Sequence, residues 1–217
     1  HYFQSQGYKI ISLEELDSLL TATERDTHAE GLGLGLGKKY LCITMDDGYF
    51  SNYDLAYPLF KKYRVPASVF AVTDYVTNQI GIQKFTWNQA ATMEKSGYMK
   101  VYSHTADHQP VVAGKEEAFL DSMHRSEETL TENLGTKHVK AMAYPNGRYT
   151  EAAQQLLDED GYVLQFTVEN SVITRKTKRD AIPRITIESG MSGEDVVRKI
   201  ELTAENTFAA EGEGNET

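Results

Sequence analysis

Segments with the pattern of strands and segments with the pattern of helices alternate along most of this chain of 217 residues. Apolar runs of strand length lie at 40–45, 67–72, 99–102, 139–143 and 163–167, and polar or amphipathic stretches separate them. Because helices follow strands in turn, successive strands are expected to run parallel in one sheet that helices cover. The alternation predicts an α/β fold and directs attention to the carboxyl ends of the strands, where such folds build their sites.

Capping residues set the expected bounds of the helices. Helices are predicted at 13–22, 52–63, 86–95, 115–133, 150–160 and 193–202. Pro58 is expected to kink the second helix or to lie near its start. The Gly-Leu alternation at 31–37 predicts a flexible connector or an extended edge, because no Lys-Ser pair of a phosphate loop follows it. From Thr203 the sequence is acidic and glycine-rich, so a disordered tail at 203–217 is predicted behind a domain of residues 1–202.

The composition is that of a soluble globular protein, with 40% hydrophobic and 25% charged residues. A net charge of −10 argues against binding to nucleic acid. No apolar run of about 18 residues is present, so we expect no membrane span here, which leaves a membrane anchor elsewhere in a longer protein open. The single cysteine, Cys42, excludes an intrachain disulfide. The chain begins at His1 without an initiator methionine, and we expect an N-terminally truncated monomer.

Two adjacent carboxylates, Asp46 and Asp47, end the apolar run at 40–45 and are followed by Gly48. Neighbouring strand residues point to opposite faces, whereas a glycine permits a sharp exit that keeps both side chains at the end of the strand. Two anions this close repel each other, and a bound cation would relieve the repulsion. A solvated Asp-Gly turn is the alternative interpretation of this stretch alone.

Two histidines four residues apart, His104 and His108, follow the run at 99–102. Two imidazoles and one carboxylate form a common zinc-binding set that leaves a coordination position open for water. Ordinary polar loop histidines are the alternative, but the Asp46-Asp47 pair at another strand end favours a metal site. His124 lies on a charged helical stretch and is better explained as part of a solvated face.

The turn Tyr144-Pro145-Asn146-Gly147 follows the run at 139–143. A Pro-Asn-Gly sequence fixes one φ angle and then permits a positive one, so such a turn can present backbone N–H groups at the rim of the sheet. These groups could serve as oxyanion donors, and a plain turn is the alternative.

Three stretches resemble the motifs of carbohydrate esterase family 4, the NodB-homology polysaccharide deacetylases. Residues 44–48 (Thr-Met-Asp-Asp-Gly) resemble its Thr-Phe-Asp-Asp-Gly motif, and 104–108 match its His-Ser/Thr-x-x-His motif. Residues 143–147 are similar to its Arg-x-Pro-Tyr-Gly motif, without the arginine. Phe3, Gly7-Tyr8 and the capped helix at Ser12 resemble the segment before the first motif in the branch that deacetylates poly-N-acetylglucosamine. The resemblance covers about 1–202 and implies a distorted (β/α) barrel of mostly parallel strands.

The resemblance also implies roles for individual residues. Asp46 matches the catalytic base, and Asp47, His104 and His108 match the ligands of one divalent metal ion. Zn²⁺ is the first expectation, with Co²⁺ and Ni²⁺ as alternatives. Asn146 occupies the position of a tyrosine whose backbone N–H helps to hold the oxyanion.

Further implied roles concern the substrate. Tyr144, Pro145 and Arg184 are expected to contact it. The Leu-x-His motif that usually supplies the general acid is absent, and residues 183–185 (Pro-Arg-Ile) occupy that part of the chain.

The implied function is metal-dependent removal of N-acetyl groups from a cell-wall or exopolysaccharide glycan that contains N-acetylglucosamine, by attack of a metal-activated water. The acetylated glycan is the expected partner, and the expected location is extracellular or at the cell surface. Two alternatives stay open. One is a catalytically weak or inactive glycan-binding relative, which the missing histidine and arginine favour. The other is a deacylase for O-acetyl esters or small amides.

Overall fold

A computed structural model describes residues 2–25, 39–135 and 138–213 of the chain. It contains seven strands: β1 (Tyr8–Ile10), β2 (Lys39–Leu41), β3 (Thr44–Asp46), β4 (Ala67–Ala71), β5 (Met99–Ser103), β6 (Ala141–Ala143) and β7 (Leu164–Phe166). Strands β3 to β7 form one parallel sheet in chain order, and β1 and β2 form a separate parallel pair. The sheet is curled into a half-barrel, which confirms the predicted α/β class and the barrel type.

Helices follow the strands along the chain. They are α1 (Tyr2–Ser5), α2 (Leu13–Arg25), α3 (Tyr57–Tyr63), α4 (Trp87–Ser96), α5 (Glu116–Leu134), α6 (Glu151–Glu159) and α7 (Gly193–Glu213). A π-helical turn over Asn52–Ala56 leads into α3, and Pro58 lies in the first turn of α3, as predicted. Within the described ranges, no helix is both long and apolar enough to cross a bilayer.

Both faces of the sheet are buried from β4 to β7, with Lys100 half-buried, as expected for parallel strands, whereas the edge strand β3 is half-buried. In β4, Val69 packs on the outer side with helical residues such as Met93, whereas Phe70 packs on the concave side. The concave side is filled by apolar residues of α2, among them Leu13 and Leu16. Helix α2 thus packs on the face of the sheet opposite to α4, and the carboxyl ends of the strands are left to carry polar groups.

The predicted strand at 40–45 is interrupted, which is one difference from the sequence-based expectation. Leu41 belongs to the pair β1–β2, where its carbonyl accepts a hydrogen bond from Ile11 N–H at 2.9 Å. The carbonyl of Ile43 instead accepts from Ser68 N–H, also at 2.9 Å. The backbone thus changes its pairing partner, from β1 to β4, within one continuous apolar run. The hydrophobic pattern of the sequence does not indicate where such a change occurs.

The predicted disordered tail is wrong for residues 203–213, because α7 continues to Glu213. Thr203 is buried, and Thr174 Oγ1 donates to Glu211 Oε1 at 2.5 Å. Alanine and glutamate favour a helix. The contacts that one side of α7 makes with the rest of the chain outweigh the tendency of an acidic, glycine-rich segment to be disordered. Residues 214–217 and the Gly-Leu segment at 31–37 lie outside the described residues.

Candidate metal centre

The carboxyl ends of β3, β5 and β6 meet at one edge of the sheet and carry the candidate site. Asp46 is the last residue of β3, and Asp47 and Gly48 both have φ +69°. A Cβ at Gly48 would lie 3.3 Å from atoms of Ala71 and Phe85, so the tight approach as well as the angle favours glycine. Two successive left-handed residues turn the chain sharply and keep both carboxylates at this edge.

Asp47, His104 and His108 converge as the sequence predicted. Each contributes one ligand atom, and all three atoms lie within 4.8 Å of one another. Asp47 Oδ1 is 3.4 Å from His108 Nε2 and 3.8 Å from His104 Nε2. In a tetrahedral zinc site with bonds of about 2.0–2.1 Å, ligand atoms stand about 3.4 Å apart. The donor set and its spacing therefore fit one divalent cation.

The protonation of His104 also suits a metal ligand. Its Nδ1 lies 2.7 Å from the carbonyl oxygen of Ala143, so Nδ1–H donates there and Nε2 keeps a free lone pair towards Asp47. Burial lowers the pKa of this imidazole, although the Asp46 carboxylate opposes the effect. A neutral imidazole is the form that binds a metal.

Asp46 is paired with Arg184 across the site. The guanidinium Nη1 and Nη2 donate to the two carboxylate oxygens at 2.7 and 2.8 Å, and Nε donates to the Thr167 carbonyl at 2.8 Å. Burial alone would raise the pKa of Asp46, but the paired guanidinium and the nearby imidazoles outweigh burial and hold that pKa below its usual value. Asp46 is therefore an ionised carboxylate held in one orientation.

Tyr49 is a site residue that the sequence reasoning missed. The Asp47 carboxylate interacts with its hydroxyl, and this interaction, with burial, raises the pKa of Tyr49 to about 12. The ammonium of Lys84 lies 3.7 Å from the centre of the Tyr49 ring. The position of Tyr49 directly after Asp47 and Gly48 was the available signal.

Comparisons with known proteins agree with this geometry. A sequence profile of the family described as polysaccharide deacetylase matches residues 34–164, more than half of the 217-residue chain. The chain belongs to the polysaccharide deacetylase family.

Several named proteins are similar to this chain in sequence or in structure. The poly-β-1,6-N-acetyl-D-glucosamine N-deacetylase of Staphylococcus epidermidis is 29% identical over 162 residues, which cover 70% of this chain and 56% of that protein. The deacetylase PplD of Streptococcus pyogenes, solved in complex with acetate, has a TM-score of 0.77 and 25% identity, covering 92% of this chain and 82% of PplD. IcaB from Ammonifex degensii has a TM-score of 0.76 and 25% identity, covering 91% of this chain and 84% of IcaB. The chain spans less than two thirds of the length of the curated relatives that it matches. It covers 63% of YxkH, a relative from Bacillus subtilis (strain 168), and 56% of the Staphylococcus epidermidis protein.

The third motif places the side chains of Tyr144 and Pro145 in the core. Both side chains are buried; Tyr144 is 0% exposed, its hydroxyl donates to Gln165, and its ring stacks on Phe119. The strand ending at Ala143 carries both residues into the core, and this burial argues against the predicted substrate contact. Asn146 is exposed and has φ +55°, so it lies at the tip of the turn.

Arg184 lies against a carboxylate of the site. Both terminal nitrogens bind Asp46, and the side chain is only 15% exposed; its contact with a substrate stays a prediction. The resemblance implied an arginine near Ala143 that orients the base in many members. In this chain Arg184, from the Pro-Arg-Ile segment at 183–185, makes the contact with Asp46 that the resemblance assigned to an arginine near Ala143.

The described histidines outside the metal triad lie elsewhere. His124 on α5 pairs with Asp160 at 3.2 Å, and His138 pairs with Glu94 at 2.9 Å. Asp160 and His138 precede β7 and β6, at the opposite end of the sheet from the metal centre. Neither imidazole replaces the histidine of the missing late motif.

Proposed function

We propose that this chain carries the catalytic domain of a metal-dependent N-deacetylase for glycans that contain N-acetylglucosamine. The observation that carries the proposal is the convergence of three metal-ligand atoms within 4.8 Å beside a separate, arginine-paired carboxylate. Ligand and base are thus different groups, as hydrolysis of an unreactive amide requires.

Asp47, His104 and His108 would hold the cation, with Zn²⁺ expected first and Co²⁺ or Ni²⁺ as alternatives. Bound there, a divalent cation would acidify a water molecule and polarise the acetamido carbonyl.

Asp46 serves as the base in this proposal. Its carboxylate stays ionised at neutral pH because of Arg184, and it accepts the proton of the attacking water. Arg184 holds both carboxylate oxygens and so fixes the direction of proton transfer. The protonated Asp46 then returns the proton to the leaving amine, since neither His124 nor His138 is placed to do so.

The turn at Asn146 is proposed to stabilise the oxyanion through its backbone N–H. The turn begins directly after Ala143, whose carbonyl oxygen lies 2.7 Å from His104 Nδ1, so it borders the metal centre. Asn146 replaces the tyrosine that the family motif has at this position, so the backbone N–H is present and the tyrosine ring is absent.

We further propose a poly-N-acetylglucosamine polymer as the substrate and an extracellular or cell-surface location. The support is the resemblance of the segment before the first motif and the relative named as a poly-β-1,6-N-acetyl-D-glucosamine N-deacetylase.

Acetate release tests the proposal. The chain, reconstituted with Zn²⁺, Co²⁺ or Ni²⁺, is incubated with β-1,6-linked and β-1,4-linked N-acetylglucosamine oligosaccharides and with acetylated xylan. We expect release from the N-acetylated glycans, and loss of both release and bound metal in His104→Ala. Release from acetylated xylan alone would identify an O-acetyl esterase, and bound metal without release from any substrate would identify a non-catalytic relative.

A further inference from the structure

The loop that joins the two metal-facing histidines has an unfavourable backbone conformation. Thr105 has φ +67° and His108 has φ +58°, values in the left-handed region that residues with a Cβ rarely adopt. Thr105 is β-branched, which makes this conformation still less favourable. Contacts from outside the loop must hold it in place, and the positions of the two Nε2 atoms depend on those contacts.

Helix α5 carries two buried serines one turn apart, Ser122 and Ser126, with exposed fractions of 4% and 0%. The same helix buries Phe119, Met123 and Leu130, so an apolar residue would be the ordinary choice at such positions. A buried hydroxyl costs stability unless it makes hydrogen bonds. The bonds that these two hydroxyls make all lead to the histidine loop.

Ser122 binds the middle of the loop through both functions of its hydroxyl. Its Oγ accepts from Ala106 N–H at 3.1 Å and donates to Asp107 Oδ1 at 2.8 Å. Arg125, one turn further along the exposed side of α5, donates to Asp107 Oδ2 at 3.2 Å. One residue thus secures a buried backbone N–H and an anionic side chain midway between the two histidines.

Ser126 acts at the start of the loop through a relay of hydroxyls. Thr105 N–H donates to Ser103 Oγ at 3.1 Å, and Ser103 Oγ donates to Ser126 Oγ at 2.8 Å. Thr105 Oγ1 in turn accepts from His108 N–H at 2.9 Å. The residue in the least favourable conformation is therefore connected both to α5 and to the second histidine.

We propose that Ser122 and Ser126 are positioning residues of the metal centre. Through the loop backbone they set the distance between His104 Nε2 and His108 Nε2, and thereby the affinity for the cation. The inference rests on the proposed metal-dependent function and adds to it a control of metal affinity by a helix that contributes no ligand.

Metal affinity of purified protein tests this inference, measured by competition of Zn²⁺ against a chromophoric chelator. Ser122→Ala is expected to weaken affinity by about 10- to 100-fold, the range for loss of an outer-shell partner. Ser126→Ala is expected to act in the same direction. The matched control is Thr129→Ala, which removes an exposed hydroxyl of the same helix that bonds only to the Arg125 carbonyl. The control should bind zinc as the wild type does.

Two further measurements separate positioning from general destabilisation. The absorption bands of bound Co²⁺ report ligand geometry, and we expect them to change in Ser122→Ala at saturating metal. Should Ser122→Ala fail to fold, Arg125→Gln alters two half-exposed ion pairs, one to Asp107 of the loop and one to Asp74, and should also weaken affinity. Wild-type affinity and Co²⁺ bands in both serine variants and Arg125→Gln, with metal lost in His104→Ala, would overturn the inference and leave the proposed function intact. Absence of metal binding by the wild type would overturn the metal centre itself.

Discussion

At the scale of single residues, the two adjacent aspartates have different surroundings. Asp46 faces a guanidinium at 2.7 Å, whereas Asp47 faces two imidazoles and the hydroxyl of Tyr49. A cationic partner already satisfies Asp46, so it does not need a metal to remain ionised. Asp47 has no such guanidinium fork, and the Lys84 ammonium acts on it only through the electrostatic field, so we expect Asp47 to be the carboxylate that binds a cation.

This difference predicts opposite results for two conservative substitutions. Asp47→Asn should lower metal content, because an amide is a poor ligand for zinc. Asp46→Asn should keep the metal and lose turnover by about 100-fold or more, because an amide accepts no proton. Elemental analysis and acetate release on the same samples check both expectations. Near-full activity in Asp46→Asn would show that another group is the base.

The Arg184 contact makes a separate prediction. Arg184→Lys retains a positive charge but cannot bind both oxygens of Asp46 in a fork. We expect metal content to be unchanged and turnover to fall by about 10-fold, less than for loss of the base itself. Arg198→Lys is the control, because Arg198 is 71% exposed and pairs only with Glu194 on α7. Equal turnover in the two variants would mean that Asp46 does not need this fork.

At the scale of elements, the turn over 145–147 links the site to the core. Gly147 has φ +65°, and a Cβ there would lie 2.3 Å from Val168 Cγ2. The turn that carries Asn146 is thus held against the chain after β7, and its conformation depends on a residue without a side chain.

Gly147→Ala should therefore lower the free energy of unfolding by more than the cost of placing alanine at a positive φ angle. The matched control is Gly97→Ala, since Gly97 has φ +75° but nothing within 4 Å of an added Cβ. Both variants place alanine in the left-handed region at a cost of roughly 1–2 kcal/mol, and Gly147→Ala adds overpacking worth about 1–3 kcal/mol. Urea denaturation measures the two losses. Equal losses would contradict the clash, and partial recovery in Gly147→Ala with Val168→Ala would support it.

Elements bounded by caps were predictable from the sequence, and elements defined by distant partners were not. Thr86 and Gly97 bound α4 as predicted, because a capping box and a left-handed glycine act locally. The break between β2 and β3 depends on pairing with Ser68 and Ile11, which no local pattern contains. The final turns of α7 depend on contacts with residues about 35 positions earlier in the chain, such as Thr174.

The same distinction applies to the candidate site. The metal triad could be proposed because parallel strands bring their carboxyl ends to one edge and because the motifs resembled a family. The pairing of Arg184 with Asp46 joins residues 138 positions apart, and sequence gave no measure of that distance. Tyr144 is buried because it continues the direction of the buried strand β6. The sequence of a turn motif does not indicate this direction.

At the scale of the whole molecule, ionisable groups collect at both ends of the half-barrel. The metal centre occupies the carboxyl end of the sheet, and a second cluster lies at the amino ends of β5 and β6. There Glu14 of α2 accepts hydrogen bonds from Lys100 Nζ at 2.7 Å and Tyr102 Oη at 2.8 Å, and His138 lies between Glu14 and Glu94. These contacts link α2 to the strands on which it packs.

The cluster predicts a dependence of stability on pH. Burial would raise the pKa of Glu14, but the hydrogen bonds from Lys100 and Tyr102 outweigh it, and the pKa lies below the usual value of 4.5. A carboxyl with a lower pKa in the folded state contributes stability above pH 4.5, and this contribution is lost as the pH falls through the folded-state pKa. Glu14→Gln removes the titrating group, so its free energy of unfolding should be lower than that of the wild type at pH 7, by on the order of 1 kcal/mol. The two free energies of unfolding should converge below pH 4.5.

Urea denaturation between pH 7 and pH 3 measures the difference, with Glu194→Gln on the exposed surface of α7 as the control. Curves that stay parallel between pH 7 and pH 3 would show that Glu14 does not couple folding to protonation.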